Sequence, residues 1–175
     1  MRPRTALVIF TVGHSTRSFE AFVRLLRAHG VQRVIDVRKL PGSRHNPQYD
    51  RERLSPALRR VRIHYRHFPG LGGRRRPIRD SINAGWRNAG FRGYADYMQT
   101  PAFAASLERC IALAQLEPTV LMCAEAVPWR CHRSLIADAL IVRGIEVREI
   151  VSAARTQPHR LTPFARVRGT TLTYP

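Results

Sequence analysis

The chain has 175 residues, 44% of them hydrophobic and 24% charged, which suits one domain with a sizeable core and excludes global disorder. Three cysteines are too few for a disulfide framework and fit a reducing, cytoplasmic setting, and no apolar run approaches the ~20 residues of a membrane-spanning helix. The net charge of +18 suits either a nucleic-acid partner or a solvated surface that prefers anions; Lys39 is the only lysine and the arginines are scattered, so both readings stand.

Leu7–Val12 reads as a buried first strand, although its basic start and apolar run imitate a signal peptide. Ser18 is a suitable N-cap for a helix over Phe19–His29, with Phe19, Phe22, Val23 and Leu26 on one face and Gly30 as its stop. Val31–Val37 makes a second strand, and a strand-helix-strand of this length predicts a parallel βαβ unit. Lys39–Asp50 is a loop, Arg51–Arg60 a short helix strained by Pro56, and Arg62–Phe68 a third strand. Residues 69–93 form a loop-rich insertion without clean periodicity, of the length used for lids and binding loops. Tyr94–Met98 suggests a single helical turn, and Thr100-Pro101 opens a long helix to about Gln115. Thr119–Cys123 is a buried strand, a helix runs to Arg143-Gly144, and Glu146–Val151 is the last strand. Residues 152–175 are expected to form an irregular tail. The expected fold is thus one α/β domain over residues 1–175, three-layered, with a mostly parallel sheet of four to five strands.

The chemistry concentrates in the loop between the Thr119–Cys123 strand and the following helix, where Cys123, Glu125, Cys131, His132 and Arg133 crowd together. Core packing requires neither Glu125 nor the Cys131-His132-Arg133 run. A helix N-terminus presents free N–H groups and partial positive charge, so it favours a substrate anion or a thiolate. Cys131, at that end, is the expected low-pKa thiol, while burial alone would raise Cys123. His14-Ser15 follows the first strand and Asp36–Arg38 ends the second, so three polar clusters are expected to meet at the carboxyl edge of the sheet.

Three functions fit these residues. The first is an enzyme on an anionic, phosphate-bearing small molecule or nucleotide. Its nucleophile is Cys131 or Cys123, its base His14 or His132, and its proton carrier Glu125 or Asp36. Arg38, Arg133, Ser15, Ser43, His132, Trp86 and Arg87 fall on the substrate side. Without a thiol, Glu125 and Asp36 could still hydrolyse by acid–base chemistry. The spacing Cys123…Arg130 is one residue longer than CxxxxxR, which argues against a cysteine phosphatase loop. The second function is a zinc site from His14, Cys123, Cys131 and His132, whose Cys-x7-Cys-His spacing matches no common motif. No metal ligand is therefore assigned, and the residues name no cofactor. The third is a nucleic-acid module using Arg74–Arg76 and the aromatic NAGWRNAGFRGY stretch.

The stretches TVGHSTRSFEAFVRLL, IDVRKLPGSRHNPQYD, FPGLGGRRRP, NAGWRNAGFRGYADYM, MCAEAVPWRCHRSLIADAL and HRLTPFARVRGTTLTYP resemble the domain-of-unknown-function 488 family. The resemblance covers nearly the whole chain and implies an α/β fold. It points at His14, Ser15, Asp36, Arg38, Cys123, Glu125, Cys131, His132 and Arg133 without assigning them a reaction.

Overall fold

The structure is a computed structural model that describes residues 6–175. Six strands form the main sheet: β1 (Val8–Gly13), β2 (Arg33–Asp36), β3 (His64–His67), β4 (Thr119–Cys123), β5 (Glu146–Ser152) and β6 (Arg155–Pro158). Their spatial order is β3-β2-β4-β1-β5-β6. The first five run parallel, and β6 pairs antiparallel with β5.

Strand alternation divides the core into two layers. Val12, Val34, Val120 and Met122 face α1 (Phe19–Ala28) and α2 (Arg51–Arg60), where Phe22, Leu26, Leu54 and Leu58 pack on them. Ile9, Ile35, Leu121 and Cys123 face α4 (Pro101–Ala114) and α5 (Arg133–Ile141), meeting Phe103, Leu107, Leu135, Ile136 and Leu140. Every residue of β4 is buried, as expected of a parallel strand covered on both faces. The result is the expected three-layer α/β architecture, with helices on both sides of the sheet.

The caps follow local chemistry. Ser18 accepts the Ala21 N–H, and Thr100 accepts the Phe103 N–H ahead of Pro101. Pro56 lies inside α2 rather than opening it.

Three expectations need correction. The sheet has six strands because the tail contributes β6, and the tail also forms the hairpin β7 (Arg166–Arg168) with β8 (Thr171–Thr173). The tail looked irregular because its strands are too short to show a period. They are held instead by Asp138 of α5, which is fully buried and accepts from His159, Thr162 and Tyr174. Finally, α3 covers Ala89–Tyr97 and starts inside the expected insertion, with Asn88 accepting from Gly90 and Phe91 N–H. Gly93 is a contact point, since a Cβ there would come within 2.3 Å of the Arg75 carbonyl.

Topology then creates the site. The chain leaves β1 over one face toward β2 and leaves β4 over the other toward β5, although β1 and β4 are neighbours. Adjacent strands whose connections diverge leave a crevice at their carboxyl ends.

Candidate active site

That crevice is an open cleft of about 550 Å³ lined by His14, Arg38, Lys39, Ser43, Arg74, Tyr94, Cys123, Glu125, Arg130, Cys131 and His132 among others. His14, Asp36 and Cys123 come from neighbouring parallel strands, as expected. Gly13 is in register with Cys123 and Asp36 with Met122, while His14 N–H donates to the Cys123 carbonyl at 2.8 Å. The loop after β4 folds back over β1 so closely that a Cβ on Gly13 would lie 1.9 Å from the Glu125 carbonyl oxygen.

At the floor, the Cys123 and Cys131 sulfurs are 2.8 Å apart. Arg133 is fully buried and its Nη1 donates to Cys123 Sγ at 2.6 Å. The rest of that guanidinium is occupied: it donates to the Glu125 and Ala126 carbonyls and to the Glu149 carboxylate. Burial pushes the Cys123 thiol up. The Cys131 S–H and the Arg133 guanidinium oppose that and hold it below the ordinary thiol value. Cys131, which donates to Cys123 and is itself buried, is raised well above it.

This reverses the expected order of the two thiols. Cys131 lies before α5 in extended backbone after a 3-10 turn over Pro128–Arg130, where the Arg133 N–H donates to its Sγ at 3.5 Å while the Arg133 guanidinium donates to Cys123. Arg133 was also expected to grip substrate. It holds the thiol and Glu149 instead, because a fully buried cation requires partners inside the protein.

The carboxylate of Asp36 is likewise turned inward, fully buried and outside the cleft lining. It accepts from Arg38 N, Nε and Nη2 and from Tyr65 OH, so it positions Arg38 and has no path to a substrate proton. Arg38 reaches the cleft wall already paired with Asp36 at 2.7 Å and donating to the Tyr49 carbonyl. Glu125 is exposed on the wall.

His14 stacks on Tyr49, with ring centroids 3.9 Å apart and an interplanar angle of 11°. Its Nδ1 meets the Ser15 carbonyl at 2.8 Å and must donate there, which leaves Nε2 unprotonated beside Arg38 Nη1 at 3.4 Å. Burial lowers its pKa to about 4. His132 is also lowered to about 4 by burial, and its Nε2 donates to the Val37 carbonyl, leaving Nδ1 3.6 Å from Cys131 Sγ. Both imidazoles are therefore neutral near pH 7.

Among the expected substrate residues, Ser43 lines the cleft. Ser15, with φ of 50°, turns the chain beside it and is absent from the lining. Trp86 and Arg87 also lie outside. Trp86 packs with Phe91, Phe164 and Tyr174, an aromatic cluster that anchors the tail. Among the described residues no three His, Cys, Asp or Glu side chains are grouped to hold a metal ion, so the His14, Cys123, Cys131 and His132 set is not assembled as a zinc tetrad.

Sequence reasoning missed Glu149 and Tyr49, and did not place Arg74 or Arg130 on the substrate side. Glu149 had no clear signal, because β5 also carries Glu146 and Arg148; it is directly in register with Thr11, whose hydroxyl donates to it. Tyr49 had none, because its role depends on the long loop returning beneath His14. Arg74 and Arg130 are exposed cleft residues, and with Lys39 they line its rim with positive charge.

A family model described as "Domain of unknown function DUF488" matches residues 18–140. The chain belongs to the DUF488 family. No curated protein and no solved structure matches it. The DUF488 match includes the Asp36–Arg38 pair, both cleft cysteines and Arg133, while His14, Glu149 and the tail fall outside it. No helix among the described residues is long and apolar enough to cross a membrane.

Proposed function

We propose that the protein is a thiolate enzyme, a hydrolase or transferase, that acts on an anionic, phosphate-bearing small molecule or nucleotide with Cys123 as nucleophile. One observation carries this reading: the buried Arg133 guanidinium donates to Cys123 Sγ at 2.6 Å, with Cys131 Sγ 2.8 Å from the same sulfur. A structural thiol in a core needs no cation aimed at it. Such partners favour the thiolate, which is the nucleophilic form. Lys39, Arg74 and Arg130 supply the charge that attracts an anion, and Asn88 and Gly90 bring the N-terminal turn of α3 to the same cleft. The thiolate attacks the electrophilic centre, and Glu125, exposed on the wall, is placed to carry a proton to the leaving group.

Alkylation rates followed against pH, in variants that keep one thiol each, test the assignment. Cys123 should show an apparent pKa below the free value of ~8.5, and Arg133→Met should raise it. A panel of phosphate esters and nucleotides should show turnover that Cys123→Ser abolishes. An apparent pKa for Cys123 at or above the free value overturns the nucleophile and moves the chemistry to Glu125.

A further inference from the structure

A thiolate nucleophile explains Cys123 and Arg133 but leaves the second thiol without a task of its own. A hydroxyl could donate the same hydrogen bond, yet Cys131 places a sulfur 2.8 Å from Cys123 Sγ. A disulfide bond is ~2.05 Å long, so the two sulfurs need to approach by less than an ångström. The side chains of Ala124, Glu125, Ala126, Trp129 and Arg130 in the connecting loop are all exposed, so the approach displaces no core packing there, while the Glu125 and Ala126 carbonyls stay held by Arg133. Cys110, the remaining thiol, is buried in the α4 layer and lines no part of the cleft.

We propose that Cys123 and Cys131 form a two-electron redox couple that reduces a hydroperoxide, with Cys123 as the attacking thiol and Cys131 as the resolving one. The proposal rests on the reading of Cys123 as the thiolate. Both cysteines line the cleft floor and are only 2% and 6% exposed, so a small hydroperoxide or a low-molecular-weight thiol reaches them where a protein disulfide would not.

The chemistry balances in three steps. The Cys123 thiolate attacks the nearer oxygen of ROOH; the O–O bond breaks, a solvent proton completes ROH, and Cys123 becomes a sulfenic acid. Cys131 then attacks Cys123 Sγ; the S–O bond breaks, the S–S bond forms, and the Cys131 proton leaves with the hydroxide as water. Two molecules of a low-molecular-weight thiol return the pair to the dithiol and leave as their own disulfide. A sulfenic acid with a second thiol beside it is also spared further irreversible oxidation. While the disulfide persists, the nucleophile is absent, so oxidant silences turnover of the anionic substrate.

The test treats the reduced full chain with stoichiometric hydrogen peroxide and follows intact mass and free thiols. The expected wild-type product has lost the mass of two hydrogens, retains the Cys110 thiol alone, and returns to the dithiol form with excess thiol. Cys131→Ser keeps a hydroxyl donor for Cys123 but cannot resolve, so it should gain the mass of one or two oxygens at Cys123. Wild type gaining the same oxygens, or no disulfide while Cys123 alkylates with a low apparent pKa, overturns the redox couple and leaves the thiolate reading intact. Inertness of Cys123 to both peroxide and alkylation overturns both. The wild-type masses decide the matter even if the serine variant fails to fold.

Discussion

At the scale of single residues, a side chain's neighbours set its chemistry more than its own identity does. Cys123 and Cys131 are the same residue type, both buried, and shifted in opposite directions because the hydrogen bond between them favours the Cys123 thiolate and the Cys131 thiol, and the Arg133 guanidinium donates to Cys123. The two cleft imidazoles carry a pH consequence. His14 and His132 each fall from 6.5 to about 4 in the folded chain. Between those values the unfolded chain binds more protons, so this part of the stability is intact above 6.5 and is lost as pH falls toward 4. Denaturant midpoints measured across that window should decline. His132→Gln, which can still donate to Val37, should decline less steeply, and an unchanged slope would contradict the assignment.

At the scale of elements, glycine marks places where backbone meets backbone. Gly13 ends β1 against the loop after β4, whereas Gly30 ends α1 at a φ of +67° with open space around it. The two should respond differently to an added methyl. Gly30→Ala should cost about 1 kcal/mol, from the left-handed backbone alone. Gly13→Ala should cost roughly 3 kcal/mol, since its Cβ would displace the Glu125 carbonyl that also accepts from Arg133. It should therefore also slow Cys123 alkylation, which Gly30→Ala should leave unchanged. Urea unfolding and alkylation rates on both variants check this, and equal effects would mean that the loop yields.

At the scale of the whole molecule, the tail belongs to the fold. Asp138 joins α5 to His159, Thr162 and Tyr174, and Tyr174 N–H reaches back to Asn83 at 2.9 Å. Removing the carboxylate with Asp138→Ala leaves these buried donors without an acceptor, an expected loss of about 3 kcal/mol or more. Thermal unfolding measures it, and limited proteolysis should then cut first within residues 155–175; a loss below about 1 kcal/mol would make the tail an ornament. The charge of +18 acts over the entire surface. Its arginines are spread through every segment, so binding to oligonucleotides should be weak, independent of base sequence, and should fall linearly in log salt. Fluorescence anisotropy across salt concentrations tests this, and a strong base preference would demand a dedicated nucleic-acid surface.

Short-range order determined what was legible in the sequence. Strand β4, the caps Ser18 and Thr100, and the parallel βαβ unit of β1, α1 and β2 follow from apolar runs and caps that act within a few residues, although β4 lies between β1 and β2. Polar residues at strand ends likewise placed His14, Cys123 and Glu125 together, because a parallel sheet carries all its carboxyl ends to one edge. What the sequence could not decide was the direction in which each polar group points once it arrives there. Asp36 and Arg133 looked like reagents and are internal counter-ions, because a buried charge takes whichever partner the packing supplies. The short strands β6, β7 and β8 rest on Asp138, and the guanidinium that meets Cys123 rests on Arg133 being held by Glu149. Those contacts join residues far apart in sequence, so no local pattern encodes them, and only the folded chain decides them.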